Sequence, residues 1–188
     1  KSMGGKVLDV SSGKFGKINP FQIIRTEDDE NKDGTSNDYF SHLQFLEEFY
    51  RVVLPGINSD SLELLNRLTQ ELFSRAGITP YSDLNGISEE EYPTFDDLGK
   101  LIDDKIERET DEYNRGCLKV LTNYIAKFRT GGRYSNLWNG PTSFAPRENF
   151  IVFDFQKLLA NKNGVVANGQ MLLIVKWLEN EAVKNKDY

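Results

Sequence analysis

Residues 130–155 read TGGRYSNLWNGPTSFAPRENFIVFDF. Paired glycines, an Arg-Tyr pair, a tryptophan and a second glycine turn lead into FIVFDF. There, β-branched residues flanked by aromatics predict a strand buried on both faces. From about Asp38 up to this stretch the pattern is helical, and one more helix follows it. The chain is thus expected to leave a sheet, make a long helical excursion and return to the sheet here, giving a mainly α fold with a small β part.

Working outward, Lys6–Val10 (KVLDV) predicts a short strand and SSGKFGK a glycine-punctuated turn. Pro20 makes Ile18–Ile24 an edge strand or an extended segment, and it rules out a helix there. Residues 26–38 lack apolar side chains and predict a solvated loop. Asp29, Asn31, Asp33 and Gly34 imitate half of an EF-hand, but Phe40 stands where the twelfth-position Glu belongs. The first helix takes its cap from Asn37 or Asp38. It is expected to bury Phe40, Leu43, Leu46, Tyr50 and Val53, broadened by Phe45, Phe49 and Val52, before Pro55-Gly56. Ser59 or Asp60 caps a second helix with a Leu62, Leu65, Leu68, Leu72 stripe, stopped at Gly77. Thr94 and Asp97 form a capping box for a third, through Leu98, Leu101, Ile102 and Ile106. A fourth, about Asp111 to Arg129, carries Leu118, Leu121, Ile125 and Phe128, weakened near its start by Gly116. Short connections predict a small bundle. The last helix, Val166 to about Lys184, is strongly apolar through Met171, Leu172, Ile174, Val175 and Leu178, and is expected to lie against the sheet.

The 188 residues suit one domain, or one domain with a large insertion, and 38% hydrophobic content suffices for a core. Net charge is −6, unevenly spread. Residues 1–112 hold twice as many acids as bases, and residues 113–188 the reverse excess, which makes oppositely charged faces an expectation. Cys117 has no partner for an internal disulfide and, within a helical pattern, reads as a buried structural thiol. No apolar run approaches the ~20 residues of a membrane span. KSMGGK has no apolar core of a signal peptide, and its lack of an initial Met fits a fragment or a processed chain.

Catalytic signatures are missing from the sequence. Gly16-Lys17 is followed by Ile18, and Gly99-Lys100 by Leu101, so neither completes GxxxxGK[ST], whose amides and lysine cradle phosphates. Asp154 ends an apolar strand but is followed by Phe155 rather than a second acid, and reads as a strand-end cap or turn residue. Asp96/Asp97, Asp103/Asp104 and Glu89–Glu91 sit where helix starts and solvated faces favour acids. His42 alone supports neither a His-rich zinc site nor a nucleophile–His set, and reads as a packed or surface histidine. Lys127, Arg129, Arg133 and Arg147, interleaved with Tyr134 and Trp138, form a candidate cluster. It would serve a domain or subunit contact, where Trp, Tyr and Arg are frequent anchors, or else phosphate or single-stranded nucleic acid.

GGKVLDVSSGKFGKINPFQI, FSHLQFLEEFYRVVL, and GRYSNLWNGPTSF leading into NFIVFDFQKL resemble the large traffic ATPase of conjugation and type IV secretion, the TraE/TraC-like fourth protein of VirB-type operons. That resemblance implies a helical bundle inserted between strands of a RecA-like α/β motor domain, here partial. Residues 1–25 would be motor-derived strands, 38–130 the all-helical insertion, and 131–188 the return loop, strand and helix. ATP and magnesium are implied for the parent protein, with no cofactor in this chain and no hydrolysis by it alone. Other subunits and secretion-channel proteins are the implied partners, at the cytoplasmic face of the membrane. A stand-alone helical adaptor and a nucleic-acid-binding module are the alternatives.

Overall fold

A computed structural model describes residues 6–11, 16–25, 33–144, 151–160 and 164–184. Strand β1 (Lys6–Asp9) pairs in parallel with β2 (Ile151–Asp154), Lys6 opposite Ile151 and Asp9 opposite Asp154. The Val10 amide extends the ladder by donating to the Asp154 carbonyl at 3.2 Å. Parallel neighbours require a crossover, and here the crossover is most of the molecule. Of the two expectations for Ile18–Ile24, the edge strand does not form, since residues 16–25 contain no strand. The Asn19 side chain accepts the Phe21 amide and the Asn19 carbonyl accepts the Gln22 amide, folding INPF into a turn.

The expectation that FIVFDF is buried on both faces is also corrected. Leu8 and Phe153 are half-buried, but Val7 and Val152, opposite each other in the register, are 65% and 44% exposed. Alternation puts successive side chains on opposite faces, and one face of this two-stranded sheet has no cover among the described residues.

The excursion comprises α1 (Asn37–Val53), α2 (Ser59–Arg75), a 3-10 turn (Leu84–Gly86), α3 (Phe95–Arg108) and α4 (Glu112–Ile125). Thr94 and Asp97 make the expected reciprocal box, and Asp111 caps α4. The caps of α1 and α2 are Ser36 and Asn58, each one residue ahead of the expected ones. A cap must stand outside the helix for its oxygen to reach the amide three residues on, within the first turn, here those of Tyr39 and Ser61. The buried face of α1 is rotated accordingly. Tyr39, His42, Leu46, Phe49, Tyr50 and Val53 point inward, whereas Phe40 is 43% exposed. The leucine stripe of α2 is buried as expected. Helix α4 ends at Ile125, short of Arg129, and Phe128 is buried from the turn beyond it. Within the bundle α1 packs on α2, α2 on α3 and α4, and α3 on α4.

After β2 come α6 (Gln156–Ala160) and α7 (Val165–Lys184), the short α5 (Ser135–Trp138) having preceded the strand. Asp154 accepts the Gln156 amide, the strand-end role expected of it. Helix α7 packs chiefly on α1 rather than on the sheet. Val166, Ala167, Gln170, Leu173 and Ile174 face inward, and Met171, Val175 and Leu178 remain exposed. Gly169 sets the close approach, because a Cβ there would lie 2.5 Å from Val53 Cγ1 and 3.0 Å from Trp138 Cη2. Contact with the sheet runs through aromatics: Trp177 meets Phe144 edge-on at 4.7 Å, and Phe144 meets Phe153 at 6.1 Å.

Candidate functional site

The Trp-centred stretch is the joint of the molecule. Trp138, on the single turn of α5, is 0% exposed. Its ring packs on Phe49 of α1 at 5.1 Å and on Phe128 beyond α4 at 5.4 Å. A buried indole N–H needs an acceptor, and Gln170 of α7 supplies its side-chain oxygen at 2.6 Å. The Gln170 amide in turn donates to the carbonyl of Val10, just past β1, at 3.4 Å. One buried glutamine thus ties the bundle to the end of the first strand.

Around this core the INPF turn and the return loop are stitched together. Ile18 donates its amide to the Leu137 carbonyl, and the Lys17 and Asn19 amides donate to the side chains of Ser143 and Thr142. Asn19 Nδ2 reaches the Pro93 carbonyl at the foot of α3. Asn139 links the same places, accepting the Asp96 amide and donating to Thr130 Oγ1. Asp96 receives both the amide and the hydroxyl of Thr130. Burial pushes the Asp96 carboxyl up, but those bonds outweigh it and hold it below the ordinary range. His42 sits beneath the turn, its Nε2 donating to the Pro20 carbonyl at 2.9 Å. Burial drives this histidine down to about 4, so it is neutral.

The cluster expected at this stretch is largely internal. Trp138 has no outward face, so it is a core anchor rather than an exposed one. Arg129 lies across Gly99, where a Cβ would overlap it, and pairs with Asp103 at 3.0 Å. Lys127 Nζ donates to the Val53 carbonyl at the end of α1. Arg133 is exposed and stacks over Tyr134 at 5.2 Å. Arg147 lies outside the described residues, as do Asp29 and Asn31 of the EF-hand-like run. Sequence reasoning missed Lys17, Asn19, Asn139 and Gln170. The NP and NG dipeptides flag two of them as turn formers, and nothing local flags Gln170 inside an apolar helix.

Both glycine–lysine pairs have structural places in the fold. Lys17 Nζ donates to the Asn139 carbonyl, and Gly99-Lys100 lies inside α3. No cluster of His, Cys, Asp and Glu among the described residues is arranged to hold a metal ion. The carboxylate pairs have structural work: Asp97 in the capping box, Asp103 with Arg129, Asp104 with Arg75 at 3.7 Å. At the carboxyl ends of the strands Lys157 pairs with Asp9, and that hydrogen bond holds Asp9 down to about 2. Among the described residues no helix is long and apolar enough to cross a membrane.

No family model matches the chain, and no curated protein matches it. Among solved structures it is similar to VirB4 of Thermoanaerobacter pseudethanolicus, with a TM-score of 0.80 and 26% sequence identity, over 97% of this chain and 63% of that one. The resemblance read from the INPF and YSNLWNG–FIVFDF stretches is therefore present in the fold as well: the chain is VirB4-like over nearly its whole length, and it spans less than two thirds of the VirB4 chain it matches.

Proposed function

We propose that this chain is the helical-insertion region of a traffic ATPase that energises conjugative DNA transfer or type IV secretion. Residues 38–130 form the inserted bundle. Residues 1–25 and 131–188 belong to the RecA-like motor and hold the bundle at the Trp138 joint. ATP and magnesium act at residues of the parent protein outside this stretch. The bundle serves contacts with neighbouring subunits and secretion-channel proteins at the cytoplasmic face of the membrane. The observation carrying this reading is the parallel pairing of Lys6–Asp9 with Ile151–Asp154 across the whole bundle, in a chain that superposes on VirB4 with a TM-score of 0.80.

The open Val7–Val152 face supports the same reading, because parallel sheets are covered on both sides and a free-standing adaptor would leave this one bare. Two of the cluster's basic residues, Lys127 and Arg129, favour a structural role over nucleic-acid contact, since they are engaged within the chain. Two assays test the proposal. The purified chain should show no magnesium-dependent ATP hydrolysis. Within a parent protein, Trp138→Ala should lower transfer at unchanged protein level. Hydrolysis by the chain alone, or full transfer with the joint broken, would contradict it.

A further inference from the structure

Away from the residues of the joint, α2, α3 and α4 line an open cleft of about 770 Å³. Residues from Asp60 to Arg75 of α2 line it, a run of roughly 22 Å at 1.5 Å per residue, or about four helical turns. Its floor is apolar, with Leu68 and Leu118 buried and Leu64 half-buried. One wall is α4, presenting Tyr113, 71% exposed, and the thiol-bearing Cys117, which is half-buried rather than enclosed as its helical setting suggests.

Charge along the cleft is graded. At the carboxyl end of α2 it is neutralised, Glu71 pairing with Lys105 and Arg75, and Arg75 reaching Asp104. These pairs run α3 back along α2, which brings Arg108 one turn further, level with Arg67. Arg67 and Arg108 have no ion pair among the described residues, and neither have Asp60 and Glu63 at the amino end of α2. The cleft therefore offers an apolar floor, two carboxylates without an ion pair at one end, Asp60 lying near the Tyr113 hydroxyl, and midway two guanidinium groups without an ion pair, beside Glu109, whose carboxylate accepts the Asp111 amide.

We infer that this cleft docks an amphipathic helix of a partner protein, with its apolar ridge on Leu64, Leu68, Leu118 and Tyr113, lysines or arginines over Asp60 and Glu63, and carboxylates over Arg67 and Arg108. Helix-in-groove recognition has this form: spaced apolar anchors in a groove with charged rims that fix register. The site depends on the bundle alone and stands whether or not the parent is a secretion ATPase.

Three labelled 18-residue helical peptides test it by fluorescence anisotropy on the intact chain. They share one leucine ridge, and their polar faces are half lysine and half glutamate, all lysine, or all glutamate. The block peptide should bind at least tenfold more tightly than either of the others and should protect Cys117, the sole cysteine, from maleimide. The double variant R67E/R108E should shift the preference to the all-lysine peptide. Absence of saturable binding, equal affinity for all three, or binding that leaves Cys117 reactive would overturn the inference. Protection of Cys117 that grows with protein concentration and needs no peptide would also overturn it, assigning the cleft to a second copy of this chain.

Discussion

Four residues at or beside the joint carry definite physical expectations. Alanine is a better helix former than glycine by about 1 kcal/mol, so Gly169→Ala on an open helix would stabilise. Here the new methyl would press on Val53 and Trp138, and overpacking of this kind costs about 1–3 kcal/mol. Denaturant unfolding should show net destabilisation of G169A, and a stabilised variant would mean α7 does not meet α1 closely. Gln170→Leu strands the buried Trp138 N–H, a loss of about 1–3 kcal/mol. Adding Trp138→Phe removes the stranded donor, so the double-mutant cycle should be less than additive, and strict additivity would deny the bond. His42 sets a pH dependence. Its folded-state value of about 4 lies below the ordinary 6.5, so between those values the unfolded chain binds the proton that the folded chain refuses. Stability is complete above about pH 7 and declines as pH falls toward 4, by roughly 3 kcal/mol. Unfolding curves from pH 7 to pH 4 should show this slope in the parent and lose it in His42→Asn.

At the scale of elements, most helices were legible because period and caps agree. The Thr94–Asp97 box reads directly off TFDD, and the leucine stripe of α2 is buried as its spacing requires. Thr94→Ala should therefore cost about 1 kcal/mol, measurable as a shifted urea midpoint with unchanged slope; no shift would mean the box adds nothing at this exposed end. The rotation of α1 away from Phe40 was not legible, because Tyr39 and Phe40 are both aromatic and the choice falls to what lies opposite. Tyr39 meets Phe73 of α2 at 6.0 Å, a partner that periodicity cannot name. Helix α7 misled for a related reason. It is apolar nearly all round, so its sequence marks burial without a direction, and the close approach at Gly169 turns it toward α1. The candidate site was legible as a place but not as a function. Its Trp, Tyr and Arg content matches an exposed contact, yet a tryptophan whose N–H finds a buried glutamine becomes core, and Gln170 carries no sequence signal.

For the whole molecule, the excursion from one strand to its neighbour was readable from KVLDV and FIVFDF, whereas the bareness of one sheet face among the described residues was not. β-branched residues look alike whether their cover lies in the same chain or elsewhere. That bareness also offers the most direct test, since Val7 and Val152 are opposite and exposed. Neighbouring strands lie about 4.8 Å apart, within the Cα span of a disulfide. In a Cys117→Ser background, Val7→Cys with Val152→Cys should form an intramolecular disulfide under mild oxidation, seen as a mobility shift reversed by reductant, while Leu8→Cys with Val152→Cys, on opposite faces, should not. Failure of the first pair to close, or equal closure of both, would contradict a helical bundle inserted between two parallel strands.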